Sequence, residues 1–206
     1  VISTACSSSA KVFASAARML AAGVIDAAIV GGVDSLCLTT LYGFNALELL
    51  SPDTCRPFDR DRKGISIGEA AAFVLLERAG PSLDAEAVLL LGTGESSDAY
   101  HMSAPHPEGL GAKLAMAAAL QSAGLKAADI DYINLHGTAT PTRFSLGTRT
   151  LSKNVSQKGE LPLISRIGRV LTPGVSMSNN RKLMPACFAA SISVRTRQNI
   201  QSALSA

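Results

Sequence analysis

The first 32 residues constrain the fold more than any other part of the chain. A short β-branched segment, Val1 to Thr4, is followed by an alanine-rich stretch from Ser7 to Leu20, and then by the apolar run "DAAIVGG", which ends in paired glycines. Phe13, Ala14, Ala17, Leu20 and Ala21 recur at helical spacing, and Gly23 suits the left-handed residue that closes a helix. The pattern predicts strand, helix, strand, which is the unit that joins two parallel strands by a crossover. Cys6 falls at the first strand-to-helix joint.

The alternation continues. "TLYGFNALELL" predicts a second helix, and "ISIGEAAAFVLLERA" and "AEAVLLLGTGESSDA" predict two long strands that pair as neighbours in one sheet. Leu110 to Ala123 predicts a third helix ended by Gly124, and "DIDYINLHGTATP" a strand whose end delivers His136 to a glycine turn. Apolar strands alternating with helices define an α/β class with a sheet covered on both faces. In such folds functional groups collect at the carboxyl ends of the strands, where Cys6 and His136 both stand.

Composition narrows the function. In 206 residues with 47% hydrophobic and 17% charged side chains, a sizeable core is available. Cys6, Cys37, Cys55 and Cys187 are widely spaced, matching neither a zinc motif nor a disulfide scaffold, so we expect a reducing, cytoplasmic setting. No apolar run reaches membrane-span length, and from residues 1–32 we expect no signal sequence. His101 and His106 lie in a proline-containing polar loop and are not read as metal ligands; no metal site is expected. The glycines of "VGG" and "GTGES" lack phosphate-loop spacing and are read as strand-end turns and bulges.

Charge divides the chain in two. Residues 1–141 carry 9 Lys and Arg against 15 Asp and Glu, whereas residues 142–206 carry 10 against Glu160 alone. A basic nucleic-acid arm is disfavoured, because Trp is absent and the cations are scattered rather than clustered.

A cysteine at a helix N-terminus sits where the dipole favours thiolate and where backbone N–H groups can hold an oxyanion. A small buried thiol is the alternative reading of Cys6. An imidazole beside two threonines at another strand end strengthens the case for an acyl-transfer pair, Cys6 and His136.

The motifs "STACSSSA", "CRPFDRDRKGISIGEAAAFVLLE", "SSDAYHMSAPHPEG" and "DYINLHGTATP", in that order over residues 1–141, resemble the β-ketoacyl-acyl-carrier-protein synthases of the thiolase-like superfamily. The resemblance implies a layered αβαβα fold and a homodimer. It implies that Cys6 takes the acyl chain as a thioester, and that His136 assists decarboxylation of a malonyl thioester and steadies the enolate. Thr138 and Thr140 match the family's pantetheine-contacting threonines. The product is a β-ketoacyl thioester two carbons longer, made in fatty acid, polyketide or polyene synthesis. No cofactor is implied, since phosphopantetheine arrives on the acyl carrier protein. Arg56, Asp59, Arg60, Asp61, Arg62 and Lys63 are read as a structural network near the site and dimer interface rather than a carrier-protein dock; Cys37, Cys55 and Cys187 are read as packing or incidental thiols.

The chain also departs from the family. The family carries a region before the nucleophile strand, so the fold is expected to be incomplete at its N-terminus and divergent at its C-terminus. No histidine follows His136, although the family uses a second one, so condensation by this chain alone is not expected. Residues 142–206 show little sustained periodicity, with Leu161 to Val175 apolar enough to pack, and the switch after Pro141 is what a change of reading frame produces. Two rival readings are a thiolase-fold acyltransferase acting on coenzyme A thioesters, and a non-catalytic truncated product or pairing subunit.

Overall fold

The computed structural model describes residues 1–82, 87–97, 99–101, 105–130, 132–133, 136–140, 169–173 and 189–195. Helix α1 spans Ser8–Ala21 and turns Ala14, Ala16 and Leu20 inward. Its end is a Schellman closure: Val24 N–H donates to Met19 O at 3.0 Å and Gly23 N–H to Leu20 O at 3.1 Å. Gly23 takes φ +69°, which a side chain would strain. Among the described residues, residues 1–4 form no sheet ladder beyond an isolated bridge between Thr4 and Cys6, which corrects the expected first strand. Hydrogen bonds from Ser7 N–H and Ser8 N–H to Thr4 O and Ala5 O turn the chain directly into α1.

Strand β1, Ala27–Asp34, pairs antiparallel with β2, Ala70–Glu77, from Ala27 opposite Glu77 to Asp34 opposite Ala70. The expected parallel crossover therefore does not describe β1, which joins a segment far along the chain. Helix α2, Leu38–Ala46, buries none of its residues.

Strand β3, Val88–Glu95, belongs to a second sheet, with β4 (Tyr132–Ile133), β5 (Arg169–Pro173) and β6 (Ala189–Arg195). The order is β3-β6-β5-β4, antiparallel except for the β4–β5 pair. The expectation that β2 and β3 are neighbours is thus overturned. Apolar periodicity identifies a strand, but its partner is chosen by packing and register across the whole molecule. The two strands of the basic segment also go beyond the expectation of little periodicity there; β5 falls within the apolar stretch Leu161 to Val175.

Helix α3, Leu110–Ala123, lies on β3. A Cβ at Gly94 would collide with Ala115 O and Ala119 N, so glycine permits the close approach. Gly92 marks a register shift in the β3–β6 ladder, in line with the bulge read from "GTGES". Met116, Ala119 and Ile130 form the core of this layer, with Leu91, Leu120, Leu125 and Ile133 packed around them. Helix α1 touches both sheets, which places the element beginning beside Cys6 between them. Among the described residues, no helix is long and apolar enough to cross a membrane.

Candidate active site

Cys6 is half-buried at the turn into α1. The residue before it, Ala5, is held at φ +51°, a left-handed conformation that costs a residue with a Cβ about 1–2 kcal/mol. Hydroxyl groups from "TACSSS" offset that cost locally. Ser7 Oγ donates to Thr4 O at 2.9 Å, Ser8 Oγ to Ala5 O at 2.6 Å, and Thr4 N–H to Ser8 Oγ at 2.8 Å. Thr4 Oγ1 and Ser7 Oγ lie 2.8 Å apart. A tight, hydroxyl-stitched turn thus sets the thiol-bearing residue at the N-terminus of a 14-residue helix, where backbone N–H groups lack intrahelical partners.

His136 follows β4. Burial pushes its imidazole down from 6.5 to about 4, because taking a charge out of water disfavours the cation. At neutral pH it is therefore an uncharged ring with one N–H to donate and one lone pair to accept.

The turn after it is shaped by contacts from far away in sequence. Thr138 Oγ1 and Thr140 Oγ1 come together at 3.0 Å, so the structure pairs the two hydroxyls singled out in the sequence. Between them Ala139 is buried and held at φ +55°. Arg62 Nε donates to Thr140 O at 2.8 Å, and Cys55 Sγ lies 3.9 Å from Gly137 O and 3.8 Å from Thr138 O. A Cβ at Gly137 would sit 2.8 Å from Pro57 Cβ, so only glycine admits this packing.

The segment that makes these contacts is braced at its ends. Ile65 N–H donates to Leu49 O at 2.8 Å, Ser51 N–H to Ile65 O at 3.0 Å, and Lys63 Nζ lies 2.8 Å from Asp53 Oδ2. That lysine holds the Asp53 carboxyl below the usual carboxylate range. The reading of Arg56 to Lys63 as a network near the site thus agrees with the contacts made by Arg62. Cys55, read as a packing or incidental thiol, does pack, and what the sequence did not show is against which segment. Its target lies 82 and 83 positions away, and no local pattern could have shown it.

Other candidates stay outside the site. His106 stacks edge-on to Tyr100 at 5.0 Å and accepts from Glu108 N–H, and no group of metal-ligating side chains occurs among the described residues. Cys37 is exposed, its thiol pulled down chiefly by the hydrogen bond with Thr40.

A thiol on a helix-entry turn and a neutral imidazole beside paired hydroxyls are carried on a partial α/β fold of the thiolase-like class. The chain belongs to the β-ketoacyl synthase family: the family's N-terminal domain matches residues 1–81 and its C-terminal domain residues 87–166. It is 42% identical over 151 residues to 3-oxoacyl-[acyl-carrier-protein] synthase 2 of Rhizobium meliloti (strain 1021), covering 66% of this chain and 35% of that protein. Identity to nodulation protein E of Rhizobium meliloti is 41% over 143 residues, or 68% of this chain and 35% of that one. The chain therefore spans about a third of the length of these curated relatives. Among solved structures it resembles a ketosynthase of Xenorhabdus doucetiae in complex with its chain length factor. There the TM-score is 0.76 at 32% identity, covering 94% of this chain and 59% of that one.

Proposed function

We propose that the chain carries the acyl-accepting half of a β-ketoacyl-acyl-carrier-protein synthase. The observation that carries this reading is the placement of Cys6, on a strained turn at the N-terminus of α1. The Cys6 thiolate attacks the carbonyl of an acyl-pantetheine thioester, a tetrahedral oxyanion forms and collapses, and the pantetheine leaves as its thiolate. In the condensing step, a malonyl thioester loses carbon dioxide and its carbanion attacks the Cys6 thioester. A carbon–carbon bond forms and the Cys6 thiolate is released. A neutral His136 suits this chemistry, since it can donate an N–H to an enolate oxygen without first losing a proton. Thr138 and Thr140 present hydroxyls for the amides of the pantetheine arm.

The partner is an acyl carrier protein, a class of protein named in the curated relatives. Phosphopantetheine enters on it, and no metal takes part. The compartment is the cytoplasm. Two copies pair through the apolar side chains that β1 and β2 expose, Ile29, Val33, Phe73 and Leu75. We read residues 1–141 as the ketosynthase core and residues 142–206 as a basic segment, of which residues 142–166 still fall within the match to the family's C-terminal domain. Translating all three frames of the coding DNA from Thr140 onward tests whether that segment is a frame change: another frame restoring an acidic motif and a Gly-His pair supports it.

The functional test is acylation. With Cys37→Ser as background to remove the exposed competing thiol, purified chain is mixed with an acyl-carrier protein and then with an acyl-coenzyme A. Mass spectrometry of the Cys6 peptide shows a thioester from the first donor, absent in Cys6→Ala. Transfer from coenzyme A alone favours the thiolase-type rival, and no transfer from either favours a non-catalytic chain.

A further inference from the structure

The turn that holds Thr138 and Thr140 is not self-supporting. Ala139 stands at φ +55°, a conformation that persists only where surrounding contacts over-determine it. Among the described residues, one segment, residues 55–62, supplies such contacts. Cys55 reaches Gly137 O and Thr138 O, Pro57 fills the space beside Gly137, and Arg62 reaches Thr140 O. The charged groups of residues 55–63 are Arg56, Asp59, Arg60, Asp61, Arg62 and Lys63, and of these Arg62 bonds to the turn.

Arg62 is also tethered at a second point. Its Nη1 donates to Asp59 O at 3.0 Å while its Nε donates to Thr140 O at 2.8 Å. One planar guanidinium therefore spans two backbone carbonyls, and its fixed fork sets the separation between them. Asp59 is held in turn, by the Arg56 contact at 3.7 Å, and its Oδ1 accepts Asp61 N–H at 2.7 Å. The fork is anchored on a braced segment rather than on a mobile side chain.

We infer that Arg62 is a positioning residue for the proposed site: its two-point fork fixes the Thr140 carbonyl, and so the hydroxyl pair and the seat of His136. This rests on the functional reading given above. The effect passes through Thr140 to a ring four residues away, so Arg62 itself need touch no substrate.

The test follows the imidazole by NMR in the full chain, with ring-labelled histidine and His136 assigned by His136→Gln. In Arg62→Ala the turn loses its fork, water reaches the ring, and the His136 midpoint rises from about 4 by about one pH unit or more. Arg62→Lys separates geometry from charge, since it keeps the cation but not the rigid fork. It too should raise the midpoint, by less. A His136 midpoint unchanged in Arg62→Ala, with wild-type helix content by circular dichroism, overturns the inference. So does a wild-type midpoint fully retained in Arg62→Lys. If Arg62→Ala does not fold, the lysine variant alone decides. No turnover is needed, so failure of Cys6 to acylate counts against the proposed function and leaves this comparison standing.

Discussion

Glu95, the last residue of β3, holds its carboxylate 3.1 Å from Lys11 Nζ and 3.3 Å from Arg18 Nη1, both on α1. The helix that begins beside Cys6 is thereby tied to the sheet that ends in β4, just before the His136 turn. The Lys11 contact is a proximity of charges rather than a directed hydrogen bond, since Oε1 has no partner of good geometry. Partly exposed pairs of this kind contribute about 0.5–1 kcal/mol. We expect Glu95→Ala to lower stability by about that amount at low salt, and by less at high salt as screening grows. Urea midpoints at two ionic strengths check this; equal losses at both would show that packing, not charge, accounts for the effect.

Gly137→Ala should destabilise by about 1–3 kcal/mol, the usual cost of forcing an extra carbon into a packed site. The added Cβ meets Pro57 at 2.8 Å. Pro57→Ala in the same chain should recover part of the loss, and a double-mutant cycle on urea midpoints measures the coupling. Additive losses would mean that Pro57 is not the obstacle.

The imidazole of His136 makes stability depend on pH in a stated direction. Its folded value, about 4, lies below the ordinary 6.5, so the unfolded chain takes up the proton first. This contribution is unchanged above about pH 6.5, and the folded state loses ground as pH falls from there towards 4, by about 3 kcal/mol in all. His136→Gln should flatten that slope. Parallel slopes in the two proteins, from urea melts between pH 7 and pH 4.5, would place the acid sensitivity in other groups.

The strain at Ala5 can be read by substitution. Glycine accepts φ +51° at little cost, so Ala5→Gly should stabilise the chain by about 1 kcal/mol, whereas the β-branched Ala5→Val should destabilise it by more than that. Thermal midpoints of the two variants check the order. If both shift the same way, the turn at Cys6 is not strained.

Residue order alone determined the parts governed by neighbours. It placed α3 at Leu110–Ala123 and put α1 within one residue of its observed bounds, because helical periodicity and a following glycine act over a few positions. It likewise put Cys6 at a helix entrance and His136 before a glycine turn. Only the tertiary structure decided which strands pair. β2 turned to β1 and β3 to β6, since pairing depends on register and packing between distant segments. The same reason hid the support of the His136 turn. Arg62 and Cys55 meet carbonyls 78 to 83 residues away, a relation that no window of sequence contains and that only the folded chain creates.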